Sequence, residues 1–268
     1  MSTAIALQDV SLDAHKDGNL RHRPTKADSK TITPTEERDT WLDSPHDVHS
    51  IALPLDTHVF EPTSTYWVSP HGMLTKQITI LDLTKDMNVP YAGLTDAYKA
   101  EVKKTLKDHS FTPAFTCHRN GWVGLAYTIK NDRDEAIAEW KHPWFSTGEA
   151  TLTFPEASPH SSHPISLRNK RWGLRTEGFT SNSQPFFWEM DSVWHSTSMT
   201  LYKVSGSGEH ERKTEVGKYV QKWWGGFVTG GTVVVDEKEI DGCVACLTLC
   251  VVLKKKRQRG AERSYGAE

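Results

Sequence analysis

The chain has 268 residues, a formal net charge of -2, and 37% hydrophobic against 25% charged residues. This length accommodates one large domain or two small ones, and this composition permits a packed core but is not that of a membrane protein. The near-zero charge provides no global field for nucleic acid, so nucleic acid is not expected as a partner.

Residues 1–62 are predicted to form a disordered N-terminal arm. They include one Trp, one Phe and five Pro, and the rest are mostly polar or charged. Such a stretch cannot bury enough apolar surface to offset the entropy lost on ordering it. Met1–Asp9 has no basic region followed by an apolar run, so no signal peptide is predicted. We expect the arm to be dispensable for folding.

The pattern changes at Tyr66, where short runs of Val, Ile, Thr and aromatic residues alternate with Gly, Asn, Asp and Pro. This pattern is typical of many antiparallel strands. Strands are predicted at Thr65–Val68, Lys76–Leu83, Ala114–His118, Val123–Lys130, Ala136–Lys141, Ala150–Phe154, Ile165–Trp172, Arg175–Thr180, Phe186–Met190, Met199–Val204, Tyr219–Trp224 and Thr232–Asp236.

One surface helix interrupts the strands. Thr95 or Asp96 suits its N-cap, and apolar residues recur at Tyr98, Val102 and Leu106. The opposite face carries four lysines, at positions 99, 103, 104 and 107. The helix is therefore predicted to be amphipathic, with its lysines forming either a solvated face or an anion-binding one.

A second helix is predicted at 240–256. Ile240–Leu253 is apolar on nearly every side and is followed by the basic run Lys254–Arg259. A helix of this kind must be buried, and fourteen positions are too few for a bilayer, which takes about 20 apolar residues. We therefore expect the helix to lie inside the protein, with a disordered tail at 260–268.

The four cysteines are too few and too clustered for a disulfide framework, which favours a reducing, intracellular compartment. Cys243, Cys246 and Cys250 lie at i, i+3 and i+7. Seven helical residues rise about 10 Å, whereas a thiolate ligand lies about 2.3 Å from zinc. The three thiols cannot share one ion, so we interpret them as small core groups and predict no metal or cofactor.

Many short strands followed by a wholly apolar helix resemble the tubby-like superfamily, which includes tubby domains, LURP-one-related proteins and phospholipid scramblases. The residues that carry the resemblance are Gly230–Asp236, Glu237–Asp241, the apolar run and Lys254–Arg259, with Phe186–Glu189 and Thr200–Val204 similar to fungal members. The resemblance covers about 63–259. It implies a closed barrel of about twelve antiparallel strands, mostly β, enclosing the C-terminal helix, and binding of phosphoinositide headgroups or membranes.

Two basic clusters are candidate anionic-lipid sites. The first surrounds Trp172 and comprises Arg168, Lys170, Arg171 and Arg175; cations beside an aromatic ring suit phosphate groups. The second comprises Lys254, Lys255, Lys256 and Arg257, a run that attracts anionic lipid and also resembles a nuclear localisation signal. For both clusters, a solvated face with helix-dipole compensation is the alternative.

Other candidate groups are weaker. No nucleotide-binding, nucleophile-elbow or metalloprotease motif occurs. Glu189 and Asp191 lie two residues apart on a predicted strand, so both side chains face the same side. They form either a carboxylate pair for acid–base chemistry or part of an outward polar face. His160 and His163 suit a metal or pH-sensing site or a surface loop, and three further histidines, at 118, 142 and 195, neighbour aromatic strands.

The sequence thus supports three hypotheses. The first is a non-enzymatic intracellular protein that binds anionic lipid headgroups, or a protein partner, at the membrane periphery. The second is a barrel enzyme or carrier for a small apolar molecule in a Trp-lined pocket. The third is a nuclear regulator. A lumen filled by the apolar helix favours the first over the second, and the expected location is cytoplasmic, peripheral to a membrane, or nuclear.

Overall fold

The computed structural model describes residues 53–72, 75–121, 124–169, 176–191, 197–207, 210–221 and 229–265. Within these ranges the chain forms twelve strands and two helices. The helices are α1, Asp96–Asp108, and α2, Gly242–Tyr265. The strands are β1 Ser64–His71, β2 Gln77–Asp82, β3 Phe115–Asn120, β4 Ala126–Asn131, β5 Ala136–Lys141, β6 Ala150–Thr153, β7 Ile165–Asn169, β8 Thr176–Ser181, β9 Gln184–Met190, β10 Ser198–Ser205, β11 Arg212–Gln221 and β12 Thr229–Val235.

The sheet closes into a barrel. Each strand pairs antiparallel with its sequence neighbours, and β1 pairs with β12. Closure removes the unpaired strand edges that would otherwise invite aggregation. The predicted fold class, a closed antiparallel barrel of about twelve strands around a C-terminal helix, is confirmed. Each predicted strand overlaps one observed strand.

Helix α2 fills the lumen. Its residues from Cys243 to Leu253 are at most 2% exposed. The Trp188 indole on β9 donates a 3.0 Å hydrogen bond to the Thr248 hydroxyl, which itself donates to the Ala245 carbonyl oxygen. The predicted helix, 240–256, and the predicted tail from 260 both differ from the observed bounds. The barrel wall still covers the helix at Arg259, which is 5% exposed, and helical structure continues to Tyr265.

Gly242 permits the close packing at the start of α2. A Cβ atom at this position would lie 2.2 Å from the Glu237 Oε1 and 2.4 Å from the Tyr66 hydroxyl oxygen. The Tyr66 hydroxyl donates to that same carboxylate oxygen. Any larger residue at 242 would therefore displace the Tyr66–Glu237 contact or the helix.

Helix α1 packs on the outside of the barrel, as its sequence predicted. The Thr95 hydroxyl accepts a hydrogen bond from the Tyr98 N–H at 3.3 Å and so caps the helix. Tyr98 and Val102 are buried against Trp67 of β1 and Val234 of β12. The lysines at 103, 104 and 107 are exposed.

The last part of the predicted arm packs against the barrel, contrary to the prediction for residues 1–62. The Lys213 N–H on β11 donates to the Pro54 carbonyl at 3.0 Å, and the Asp56 N–H donates to the Lys213 carbonyl at 2.9 Å. Phe60 packs edge-on against Tyr91, with ring centroids 5.7 Å apart. Strand β11 begins at Arg212 and not at the predicted Tyr219 because its polar first half pairs with β10, with Arg212 opposite Ser205. Residues 1–52 lie outside the described ranges.

Candidate functional site

The two mouths of the barrel differ in chemistry. At the entry end, where α2 begins, the connection from β12 carries Asp236, Glu237, Glu239 and Asp241. At the exit end, where α2 leaves the barrel, the helix carries the basic run Lys254–Arg259. The candidate anion-binding residues of that run therefore lie at the exit end.

The basic run is not a solvated surface cluster. Lys255 is fully buried, and its ammonium group donates to the Glu177 Oε2 on β8 at 2.5 Å. The Arg259 guanidinium donates to the other oxygen of the same carboxylate at 2.8 Å. Burial lowers the pKa of Lys255, and the Glu177 charge opposes that shift. The alternative of a solvated face is therefore wrong for these residues, because the barrel wall continues past the apolar part of α2 and supplies a buried carboxylate.

Lys254 lies in an aromatic corner of the exit end. Its ammonium nitrogen donates to the Gly124 carbonyl and, at 2.9 Å, to the Tyr127 hydroxyl. The nitrogen lies 4.3 Å from the Tyr127 ring centroid and 5.3 Å from that of Trp140, two rings that stack on each other. Burial, followed by the charges of Arg119 and Arg257, lowers the pKa of Lys254 to about 7. The contacts of this cation are therefore aromatic ring faces and uncharged oxygen atoms.

Arg257 is a second cation with neutral partners and, unlike the half-buried Lys254, it is buried. One of its terminal nitrogens donates to the His71 carbonyl at 2.6 Å and to the Thr229 hydroxyl. Its Nε is buried without a hydrogen-bond partner, and the side chain is 8% exposed. Burial lowers the pKa of Arg257 to about 10. Within the described ranges, neither Arg257 nor Lys254 forms an ion pair with a carboxylate.

The histidines around these cations are neutral at physiological pH. Burial lowers the pKa of His71 to about 4, with smaller effects of Arg257 and Lys254. Burial and the Lys254 charge lower the pKa of His142 to about 3, although its bond to Gln258 opposes this. Neither imidazole adds to or offsets the positive charge of the exit end near pH 7.

An exposed aromatic pair adjoins the same mouth. Trp144 and Phe145, between β5 and β6, are 62% and 67% exposed. The segment is fixed to α2 at both sides: Gln258 donates to the Trp144 carbonyl, and the Ser146 N–H and hydroxyl donate to the Glu262 carboxylate at 2.9 and 2.5 Å. The helix thus holds two large apolar side chains out in solvent.

The first predicted cluster is only partly described. Arg168, near the exit end of β7, donates to the Glu149 carboxylate at 2.7 Å, and both side chains are about 40% exposed. Lys170, Arg171 and Arg175, with Trp172, lie outside the described residues. Their predicted role in anion binding stays a prediction.

The other candidate groups have local partners. Glu189 pairs with Lys213 at 3.2 Å, and Asp191 accepts a bond from the Ser198 hydroxyl at 2.8 Å. Both carboxylates border a cavity of about 260 Å³ beside β9 and β10. His118 contacts the Thr116 hydroxyl at 3.1 Å, and His195 lies outside the described residues.

Sequence reasoning missed Arg119 and the aromatic pair. The sequence does contain a signal for the pair. The strand predicted at Ala136–Lys141 ends before the H-P-W-F-S segment, so Trp144 and Phe145 lie in a loop and not on either face of a strand. Arg119 carries no comparable signal, because its closeness to Lys254 depends on the register of β3 against the helix.

Neither a family model, nor a curated protein, nor a solved structure matches this chain. Among the described residues, neither helix combines the length and the apolar character needed to span a bilayer.

Proposed function

We propose that this protein binds anionic membrane lipid at the exit end of the barrel. The observation that carries the proposal is the pair of cations formed by the half-buried Lys254 and the buried Arg257, which lack carboxylate partners in the described structure and lie at the same mouth as the exposed Trp144 and Phe145. The ligand class is a phosphate-bearing headgroup, such as that of a phosphoinositide.

Electrostatics favours an anion at this mouth. Removing a cation from water costs several kcal/mol unless an opposite charge is nearby. Glu177 is already shared by Lys255 and Arg259. The charges of Arg119 and Arg257 contribute to lowering the pKa of Lys254, and an anionic phosphate would offset that repulsion. Arg257 also has an unsatisfied Nε donor, and guanidinium groups suit phosphate oxygens.

The aromatic pair favours a membrane over a free phosphate. Trp is enriched at bilayer interfaces, where its ring contacts acyl chains and its N–H meets the headgroups. Trp144 and Phe145 are exposed, and their segment is bonded to Gln258, the residue after Arg257. One approach to a bilayer would therefore immerse the rings and bring the headgroups to the basic mouth. A free anion would leave both rings in water.

The rival hypotheses have less support. Helix α2 occupies the lumen, which argues against a substrate pocket there. A nuclear localisation signal must be accessible to its receptor, whereas Lys255 and Arg259 are buried and both bind Glu177. The tubby-like resemblance supports lipid binding, and membership in that superfamily is part of the proposal.

Co-sedimentation with vesicles tests the aromatic part of the proposal. Vesicles of phosphatidylcholine with phosphatidylserine, or with a phosphoinositide, are compared with phosphatidylcholine alone. We expect the full chain to bind anionic vesicles, and the Trp144→Ser/Phe145→Ser protein to bind them at least about tenfold more weakly, since each buried ring contributes roughly 1.5–3 kcal/mol.

The matched control is Val59→Ser/Val89→Ser, which removes two exposed apolar residues, 71% and 39% exposed, outside the exit end. This variant should bind like the unmodified chain. Equal losses in both double variants, or no loss in the aromatic one, would contradict a membrane contact at Trp144 and Phe145.

A further inference from the structure

The entry end carries a second, unrelated cluster of reactive groups. His160, from the connection between β6 and β7, meets Asp241 and Cys243 at the start of α2. One donor atom from each residue lies within 4.8 Å of the other two. Imidazole, carboxylate and thiol groups that converge in this way form a set of potential metal ligands.

The distances fit a tetrahedral ion closely. The His160 Nδ1 lies 3.2 and 3.1 Å from the two Asp241 carboxylate oxygens. Metal–ligand bonds of about 2.0–2.3 Å at tetrahedral angles place neighbouring ligand atoms roughly 3.3–3.7 Å apart. The nitrogen and oxygen are already near that spacing, and the Cys243 sulfur, which lies within 4.8 Å of both, needs to approach by at most about 1.5 Å.

Each group is held by its own surroundings. The Asp241 carboxylate accepts the Val244 N–H at 2.9 Å, so it is oriented as the N-cap of α2. The His160 ring packs against Phe115 and Phe154, with centroids 6.1 and 6.4 Å away. Cys243 is 2% exposed in the first turn of the helix. Supports of this kind orient ligands and tune a bound metal.

The local charge favours a cation. Among the described residues, the Asp241 carboxylate contacts the His160 imidazole, and no lysine or arginine forms a salt bridge with this carboxylate. A divalent ion would balance one carboxylate and one thiolate, and its binding would release the thiol proton to solvent.

We propose that His160, Asp241 and Cys243 bind one zinc-like divalent ion, whose fourth position is open to water or an external ligand. The thiolate disfavours magnesium and calcium, which prefer oxygen ligands. The site differs from the three-thiol arrangement that helix geometry forbids, because Cys243 alone contributes sulfur. It lies at the opposite mouth from the proposed lipid site and does not depend on it.

The test uses the full chain, stripped of metal by a chelator and titrated with zinc and, separately, with cobalt. We expect one equivalent of zinc to bind, and cobalt to show a thiolate-to-metal charge-transfer band. Cys243→Ala and His160→Ala should each weaken zinc binding at least about tenfold, and Cys243→Ala should abolish the cobalt–thiolate band.

Cys246→Ala is the matched control, since it removes a fully buried thiol three residues further along the same helix. It should retain both the affinity and the band. Asp241→Asn keeps an oxygen that can cap the helix but removes the charge of the metal ligand. If Cys243→Ala folds poorly, this variant still shows whether metal binding is lost while the helix cap remains. Absence of stoichiometric binding, or binding that survives both His160→Ala and Asp241→Asn, overturns the proposal.

Discussion

Replacing Leu247 by Asp is expected to abolish folding of the barrel. Leu247 is 1% exposed at the centre of the apolar run of α2, and its helix neighbours Val244 and Val251 are fully buried. The new carboxylate would have no partner in an apolar lumen, so it would have to be protonated or drive the helix out. Circular dichroism and thermal melting of the purified protein measure the outcome.

Two comparisons make this result specific. Leu247→Ala should remain folded but lose roughly 2–5 kcal/mol of unfolding free energy through the cavity it leaves. Val59→Asp places the same charge at a 71% exposed position and should leave stability nearly unchanged. A soluble Leu247→Asp protein that melts cooperatively at the normal temperature would show that α2 is not the core of the barrel.

Replacing Glu177 by Gln is expected to destabilise the protein by about 3–5 kcal/mol, the range for removing one member of a buried ion pair. The change leaves Lys255 fully buried and Arg259 5% exposed, with no carboxylate between them. Denaturant unfolding measures the loss. Glu149→Gln breaks the exposed pair with Arg168 and should cost less than about 1 kcal/mol.

The loss in Glu177→Gln should depend on pH. The pKa of Lys255 is already lowered by burial, and without Glu177 it should fall further, so the folded state loses this proton while the unfolded state keeps it. Where the unfolded state binds more protons, stability rises with pH. The deficit relative to the unmodified chain should therefore be smaller near pH 9 than near pH 6. A deficit independent of pH would mean that Lys255 stays charged without its partner.

The strands and both helices were predictable because their signals are local. Alternating apolar residues, turn residues and the capping Thr95 each act over a few positions. The apolar run of α2 also predicted that the helix is buried, because a helix without a polar face is not stable in contact with water.

The burial of the basic run was not predictable from the neighbouring sequence. A cluster of lysines and arginines after an apolar helix usually means that the helix has reached solvent. Here Glu177, far away in sequence, faces the lumen and pairs with Lys255 and Arg259. A weak signal existed: Phe179 is two residues along the same strand and in the core, so Glu177 shares its inward face. Using that signal required knowing which strand lies beside the end of α2.

The most direct test of lipid binding at the exit end is the pH dependence of vesicle binding by the unmodified chain. Lys254 has a pKa lowered to about 7, and a bound phosphate would raise it, so binding takes up a proton. His71 and His142, with pKa values lowered to about 4 and about 3, and Tyr127, with a pKa raised to about 12, do not titrate in this range, whereas Lys256 of the same run, with a pKa lowered by burial to about 8, does. We therefore predict tighter binding to anionic vesicles at about pH 6 than at about pH 8, a difference that Lys254→Met reduces and Lys254→Met/Lys256→Met removes, and negligible binding to phosphatidylcholine alone. Equal binding to anionic and neutral vesicles, or none to either, would contradict the account.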